Sequence, residues 1–104
     1  MADRDLDRRS DILEDIDEEL KEPDMYSVVL HNDDYTTKEF VVEVLKTVFH
    51  KPAIEATKIM LDVHKKGKGV VGVFTWDIAQ TKAAQVHQLA REREYPLRCT
   101  VEVA

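Results

Sequence analysis

The sequence predicts a small α+β domain with the element order βααβαβ, in which three helices cover one face of a three-stranded antiparallel sheet. Three observations carry that expectation. Residues 26 to 31 and 70 to 74 are short, β-branched and apolar, and residues 97 to 103 alternate apolar and polar side chains as a half-buried strand does. Between and around them, apolar residues recur at helical spacing in three stretches. At 104 residues and 43% hydrophobic content, the chain has material for one modest core and not for two.

Taken in order, the first strand runs from Tyr26 to His31 and is stopped by the polar run Asn32, Asp33 and Asp34. The first helix follows at once. Thr36 and Glu39 have the spacing of a capping box, and Phe40, Val41, Val44, Leu45, Val48 and Phe49 form a broad apolar face up to His50. Pro52 is placed in the first turn of a second helix, whose buried stripe is expected to be Ile54, Ile59, Met60 and Val63. That helix ends at His64, Lys65, Lys66 and Gly67, where cations suit the negative end of the helix dipole and glycine is free to take a left-handed cap.

The basic stretch from Lys65 to Gly69 reads as a loop, and Val70 to Phe74 as the second strand. Thr75 is positioned to cap a third helix with apolar positions Ile78, Ala79, Ala83, Val86, Leu89 and Ala90. Pro96 closes the next connection. Leu97, Cys99, Val101 and Val103 then form the inward face of the last strand.

Charge divides the chain at about residue 24. Residues 1 to 24 hold eleven acids against four bases, a net of −7, whereas residues 25 to 104 hold ten acids against eleven bases. The first segment reads as a flexible acidic extension, 1–24, and the second as the domain, 25–104. Within the extension Ile12, Leu13, Ile16 and Leu20 share a helical face. Two readings therefore stand, a solvated arm and a transient helix that docks on a partner.

A nearly neutral domain with an acidic arm has no basic stripe for phosphates, so nucleic acid is not an expected partner. No apolar run reaches signal-peptide or membrane-spanning length, and a single cysteine, Cys99, forms no intrachain disulfide. These features predict a cytoplasmic protein that neither enters nor crosses a membrane, and a monomer is expected. Enzyme signatures are missing: there is no G-x-S-x-G, no phosphate loop, no H-E-x-x-H, and no Cys and His set for zinc. No catalytic residue or metal is expected from the residues alone.

Two features remain as candidate binding groups. Asn32, Asp33 and Asp34 are read either as an ordinary turn before a helix or as a corner that receives a cation. His64 is read either as a helix-end histidine serving the dipole or as a partner of that corner. Asp77 and Lys82 read as a solvated helix face.

The ordered set Met25-Tyr26, Asn32 through Thr36, Glu39 through Val41, Met60-Leu61, Val63-His64, Gly72 through Thr75, Thr81-Lys82 and Pro96-Leu97 resembles the ClpS family over residues 25 to 104. The resemblance implies an adaptor, not an enzyme, that carries proteins with a bulky apolar first residue to a ClpA- or ClpC-type AAA+ unfoldase. It implies that Asn32, Asp33, Asp34 and His64 hold the substrate's α-amino group, and that Thr36, Val41, Met60, Val63 and Leu97 wall a cavity for Leu, Phe, Tyr or Trp. It further implies that Asp77, Thr81 and Lys82 grip the unfoldase N-terminal domain, and that the acidic extension acts during handover. It implies no cofactor. Lys38 departs from the pattern: many members carry methionine there, at the entrance to the pocket. Its methylene stem suits an apolar surface while its charge opposes a nearby ammonium.

Two other readings compete. A domain like the C-terminal domain of the bacterial ribosomal stalk protein has a comparable element order, but would leave Asn32, Asp33 and His64 without a shared ligand. A small hydrolase using His64 with Asp33 or Asp34 would lack a recognisable nucleophile.

Overall fold

The structure, a computed structural model, describes residues 24–104. Its elements follow the expected order: β1 Tyr26–His31, α1 Lys38–Thr47, α2 Ala53–Lys66, β2 Lys68–Phe74, α3 Trp76–Glu92 and β3 Arg98–Val103. The acidic extension read at residues 1 to 24 lies, up to residue 23, outside the described residues.

The first strand is central. The sheet order is β2-β1-β3 with both pairings antiparallel, so the chain must leave β1, build two helices and return along its edge. The inward positions of β1, Val28 and Leu30, are fully buried opposite Val101 and Cys99 of β3. On the other side the register shifts between Val28 and Val29, which pair with Gly72 and Val70. The extra residue, Val71, is the buried one of β2, as a bulge allows by turning an additional side chain inward.

All three helices share the core with that face of the sheet. Helix α3 packs across all three strands, while α2 lies against both β2 and α1. Its buried positions, Ala79, Ala83, Val86 and Ala90, are mostly small, which lets α3 approach the sheet closely. Leu45 from α1 is fully buried. Truncating such a leucine to alanine typically costs about 2–5 kcal/mol, so one side chain holds a large part of a small domain's stability.

Several local expectations are corrected. The N-cap of α1 is Thr37, not Thr36: Thr37 is extended and its Oγ1 accepts from the Phe40 N–H at 3.1 Å. Thr36 has another use, described below. Pro52 is the residue before α2 rather than inside its first turn, and Thr75 occupies the cap position of α3 without a side-chain bond. Strand β2 begins two residues early, taking Lys68 and Gly69 from the expected loop.

Ile54 is 88% exposed because the buried stripe of α2 runs through Ala56 and Val63, and a residue two positions before Ala56 lies far round the helix. Ile78 is 48% exposed for a similar reason, being one residue off the α3 stripe that starts at Ala79. Val103, at the open end of β3, is also exposed.

Two glycines set the join between α2 and β2. Gly67 takes φ 89°, the left-handed conformation that ends α2, and its N–H reaches the Val63 carbonyl at 3.0 Å. A Cβ on Gly69 would lie 2.8 Å from Val63 Cγ2, so only glycine lets β2 pass this close beneath the helix. Among the described residues no helix is long and apolar enough to cross a membrane.

Candidate functional site

The segment joining β1 to α1 is held in shape by one carboxylate. Asp33 Oδ1 accepts from the backbone N–H of Tyr35 at 2.8 Å and of Thr36 at 2.7 Å, and its Oδ2 accepts from the Thr36 hydroxyl at 2.7 Å. This is the turn chemistry that an aspartate supplies before a helix. Burial pushes the Asp33 carboxyl upward, but the three donors from Thr36 and Tyr35 outweigh it and hold the pKa below its ordinary value. The group is therefore ionised at neutral pH. A carboxylate offers about four acceptor positions, so roughly one remains for a ligand.

The other wall comes from α2. Its last turn carries Val63 and His64, and Gly67 ends it with a carbonyl that accepts from the Asn32 N–H at 2.8 Å. That bond ties the end of β1 to the end of α2 and so brings Asn32 and His64 to the same place. The result is a cavity of about 430 Å³ lined by Asn32, Asp33, Asp34, Thr36, Lys38, Val41, Met60, Val63 and His64, together with Tyr35, Thr37 and Glu39. This volume is within the usual range of about 300–1,000 Å³ for small-ligand sites.

The lining is divided by chemistry. Asn32, Asp34 and His64 are exposed, Asp33 is half-buried, and all four bring polar atoms to the wall. Val41 and Val63 are buried and Met60 is half-buried, giving an apolar floor. Ionised Asp33 and the other polar groups can accept hydrogen bonds from an organic cation, while the floor can take an apolar side chain attached to it. No group of three or more His, Cys, Asp or Glu side chains arranged to hold a metal ion occurs among the described residues.

Nine of the ten residues assigned to the pocket from the sequence thus line one cavity. Leu97 is the exception: it is buried in the core and is not part of the lining. Tyr35, Thr37 and Glu39 were not anticipated as lining residues. Their signal was position alone, since they sit within the same unbroken segment as Asn32 and Lys38.

His31, His87 and the cysteine serve the fold. His31 Nε2 lies 2.7 Å from Thr100 Oγ1, and burial, with Arg98 and Lys68 beside it, outweighs Glu102 and lowers its pKa. His87 Nε2 accepts from the Cys99 N–H at 3.1 Å, tying α3 to β3. Burial pushes the Cys99 thiol up to about 12, so it carries no thiolate near neutral pH.

On α3, Asp77, Ile78, Thr81, Lys82 and Gln85 surround a shallow depression of about 310 Å³. Thr81 Oγ1 donates to the Asp77 carbonyl at 2.9 Å. Lys82 is not simply solvated: its Nζ donates to the Val48 carbonyl at 2.7 Å and so satisfies the end of α1. A further cavity of about 410 Å³ lies between α1 and α3, lined by Phe40, Glu43, Val44, Leu89 and Arg93 among others, with the Arg93–Glu43 ion pair at 3.0 Å beside it.

The family described as ATP-dependent Clp protease adaptor protein ClpS matches residues 21–100. The chain is 55% identical over 105 residues to the ATP-dependent Clp protease adapter protein ClpS of Syntrophus aciditrophicus, covering 93% of this chain and 98% of that one. It is 63% identical over 84 residues to the same-named protein of Acetivibrio thermocellus, covering 81% and 85%. Among solved structures, Agrobacterium tumefaciens ClpS2 bound to L-phenylalaninamide superposes with a TM-score of 0.77 at 43% identity, covering 79% of this chain and 99% of that one. The chain belongs to the ClpS family of Clp protease adaptors, and it is an adaptor rather than an enzyme.

Proposed function

We propose that the cavity between the Asn32–Glu39 segment and α2 receives the free α-amino group and bulky apolar first residue, Leu, Phe, Tyr or Trp, of a substrate protein. The observation that carries this is the convergence of Asn32, Asp33, Asp34 and His64 with the apolar floor of Val41, Met60 and Val63 in one cavity. An ammonium needs fixed acceptors before it will leave water, and burying a large apolar side chain contributes roughly 1.5–3 kcal/mol. The amine thus decides admission and the side chain decides rank. The similar Agrobacterium protein is bound to L-phenylalaninamide, a ligand with a free α-amine and a benzyl side chain.

Substrate is then delivered to a ClpA- or ClpC-type unfoldase in the cytoplasm, with Asp77, Thr81 and Lys82 as the gripping surface and the acidic extension acting at handover. Asp77 and Thr81 are exposed, and Lys82 is half-buried by its bond to Val48. A panel of peptides differing only in the first residue tests the pocket. Leu, Phe, Tyr and Trp should bind, Ala, Gly and Lys weakly, and N-acetylated versions not at all. A flat profile would remove this reading.

A further inference from the structure

We infer that Lys38 makes the adaptor favour substrates whose second residue is acidic. The inference rests on the first-residue pocket proposed above and extends it to the part of the substrate that leaves the cavity.

Every residue from Asn32 to Glu39 contributes to the lining, and in chain order its carboxylates Asp33 and Asp34 precede its lysine, Lys38. Asp33 and Asp34 stand at the start, beside Asn32 and facing His64 of α2. Lys38 stands at the far end, as the first residue of α1. A first residue anchored by its amine at the Asp33 end, with its side chain on Val41, Met60 and Val63, fills the floor. The following residue must leave across what remains of the lining: Tyr35, Thr37, Lys38 and Glu39.

Lys38 is the only lysine or arginine in the lining, and among the described residues it makes no ion pair or side-chain hydrogen bond within the protein. Its charge is thus available to a ligand. The carboxylates that would oppose an acidic second residue are partly committed elsewhere. Asp33 already accepts three hydrogen bonds, and with the amine bound as proposed, Asp33 and Asp34 would lie beside the substrate's own ammonium. Glu39 is the residual opposing charge and sits in the first turn of α1, where the helix dipole favours it. A lysine that merely obstructed the entrance would weaken every substrate alike; one with an unused charge sorts them.

The test measures affinities of three peptides, Phe-Glu, Phe-Ala and Phe-Lys followed by one common sequence, for the full chain and for Lys38→Met and Lys38→Arg. The native protein should bind Glu best and Lys worst at position two, with a spread of about threefold to tenfold at low salt that shrinks at high salt, as for other exposed charge pairs. Lys38→Arg should keep this order. Lys38→Met should abolish or reverse it, because Asp34 and Glu39 remain. The order is compared within each variant, so any change in folded fraction cancels. An order that is absent in the native protein, or unchanged in Lys38→Met, overturns the inference while leaving the pocket intact. If N-acetyl-Phe peptides bind as well as free ones, the pocket reading itself fails and this inference falls with it.

Discussion

Asp33→Asn separates the charge of the loop-holding side chain from its shape. Asparagine keeps one carbonyl oxygen for the Tyr35 and Thr36 N–H groups, but its amide cannot accept from the Thr36 hydroxyl. Hydrogen bonds to charged groups contribute about 1.5–3 kcal/mol and neutral ones about 0.5–1.5. One bond lost and two weakened would sum to roughly 3.5–6 kcal/mol at a fully buried site; because Asp33 is half-exposed and the Thr36 hydroxyl can turn to water, a loss of roughly 1–3 kcal/mol is expected. Urea unfolding at pH 7 measures it. The folded-state pKa of Asp33 lies below the ordinary aspartate value of 3.8, so its contribution is fully present above that value and drains as pH falls through the folded pKa. The gap between native protein and variant should therefore narrow in acid. Affinity for a Phe-initiated peptide at pH 7 should fall at least about tenfold, since the charged acceptor proposed for the ammonium becomes neutral. Equal stability at pH 7, or a gap that persists unchanged into strong acid, would refute the account of Asp33 as an ionised loop clasp.

Gly69→Ala should destabilise the domain by about 1–3 kcal/mol in thermal or urea unfolding, because the new Cβ meets the stiff Val63 side chain at 2.8 Å; wild-type stability would mean the α2 to β2 approach is looser than observed. Lys82→Ala should lose about 1–3 kcal/mol by leaving the Val48 carbonyl without its charged donor, whereas Asp77→Ala should impair unfoldase binding with little change in stability; the reverse pattern would exchange their roles. Removing residues 1–22 should leave affinity for Phe-initiated peptides nearly intact and slow unfoldase-dependent degradation. Loss of peptide affinity in a folded truncation would place part of that extension at the pocket.

The fold was legible where periodicity was strong. The six elements appear in the expected order because the apolar repeats of β1, α1 and α3 are long enough to fix type and face. Legibility failed where two side chains competed for one job. Thr36 and Thr37 are adjacent and chemically identical, and the capping-box spacing to Glu39 favours Thr36. Only the three-dimensional demand of Asp33 for the Thr36 hydroxyl decides that Thr37 must cap. It failed again at Ile54 and Ile78, which are apolar and one or two residues off the buried stripe. Hydrophobicity alone cannot show that alanines, not isoleucines, face the sheet when close helix approach is what the core requires.

The site was legible as a list of residues, but its assembly was not. Asn32 and His64 are far apart in sequence, and nothing local announces that they meet. What joins them is backbone: the Asn32 N–H on the Gly67 carbonyl, made possible by a glycine that ends α2 in the left-handed conformation. The same join places Val63 over Gly69, so the apolar floor and the polar wall are set by one turn. Lys82 shows the converse. A surface lysine read as a solvated face proves to hold the end of α1, the helix whose first residue, Lys38, lines the cavity. The surface proposed to meet the unfoldase and the wall of the proposed substrate pocket therefore lean on opposite ends of the same ten-residue helix. A partner that drew Lys82 away from Val48 would loosen one end of the element that carries the pocket wall.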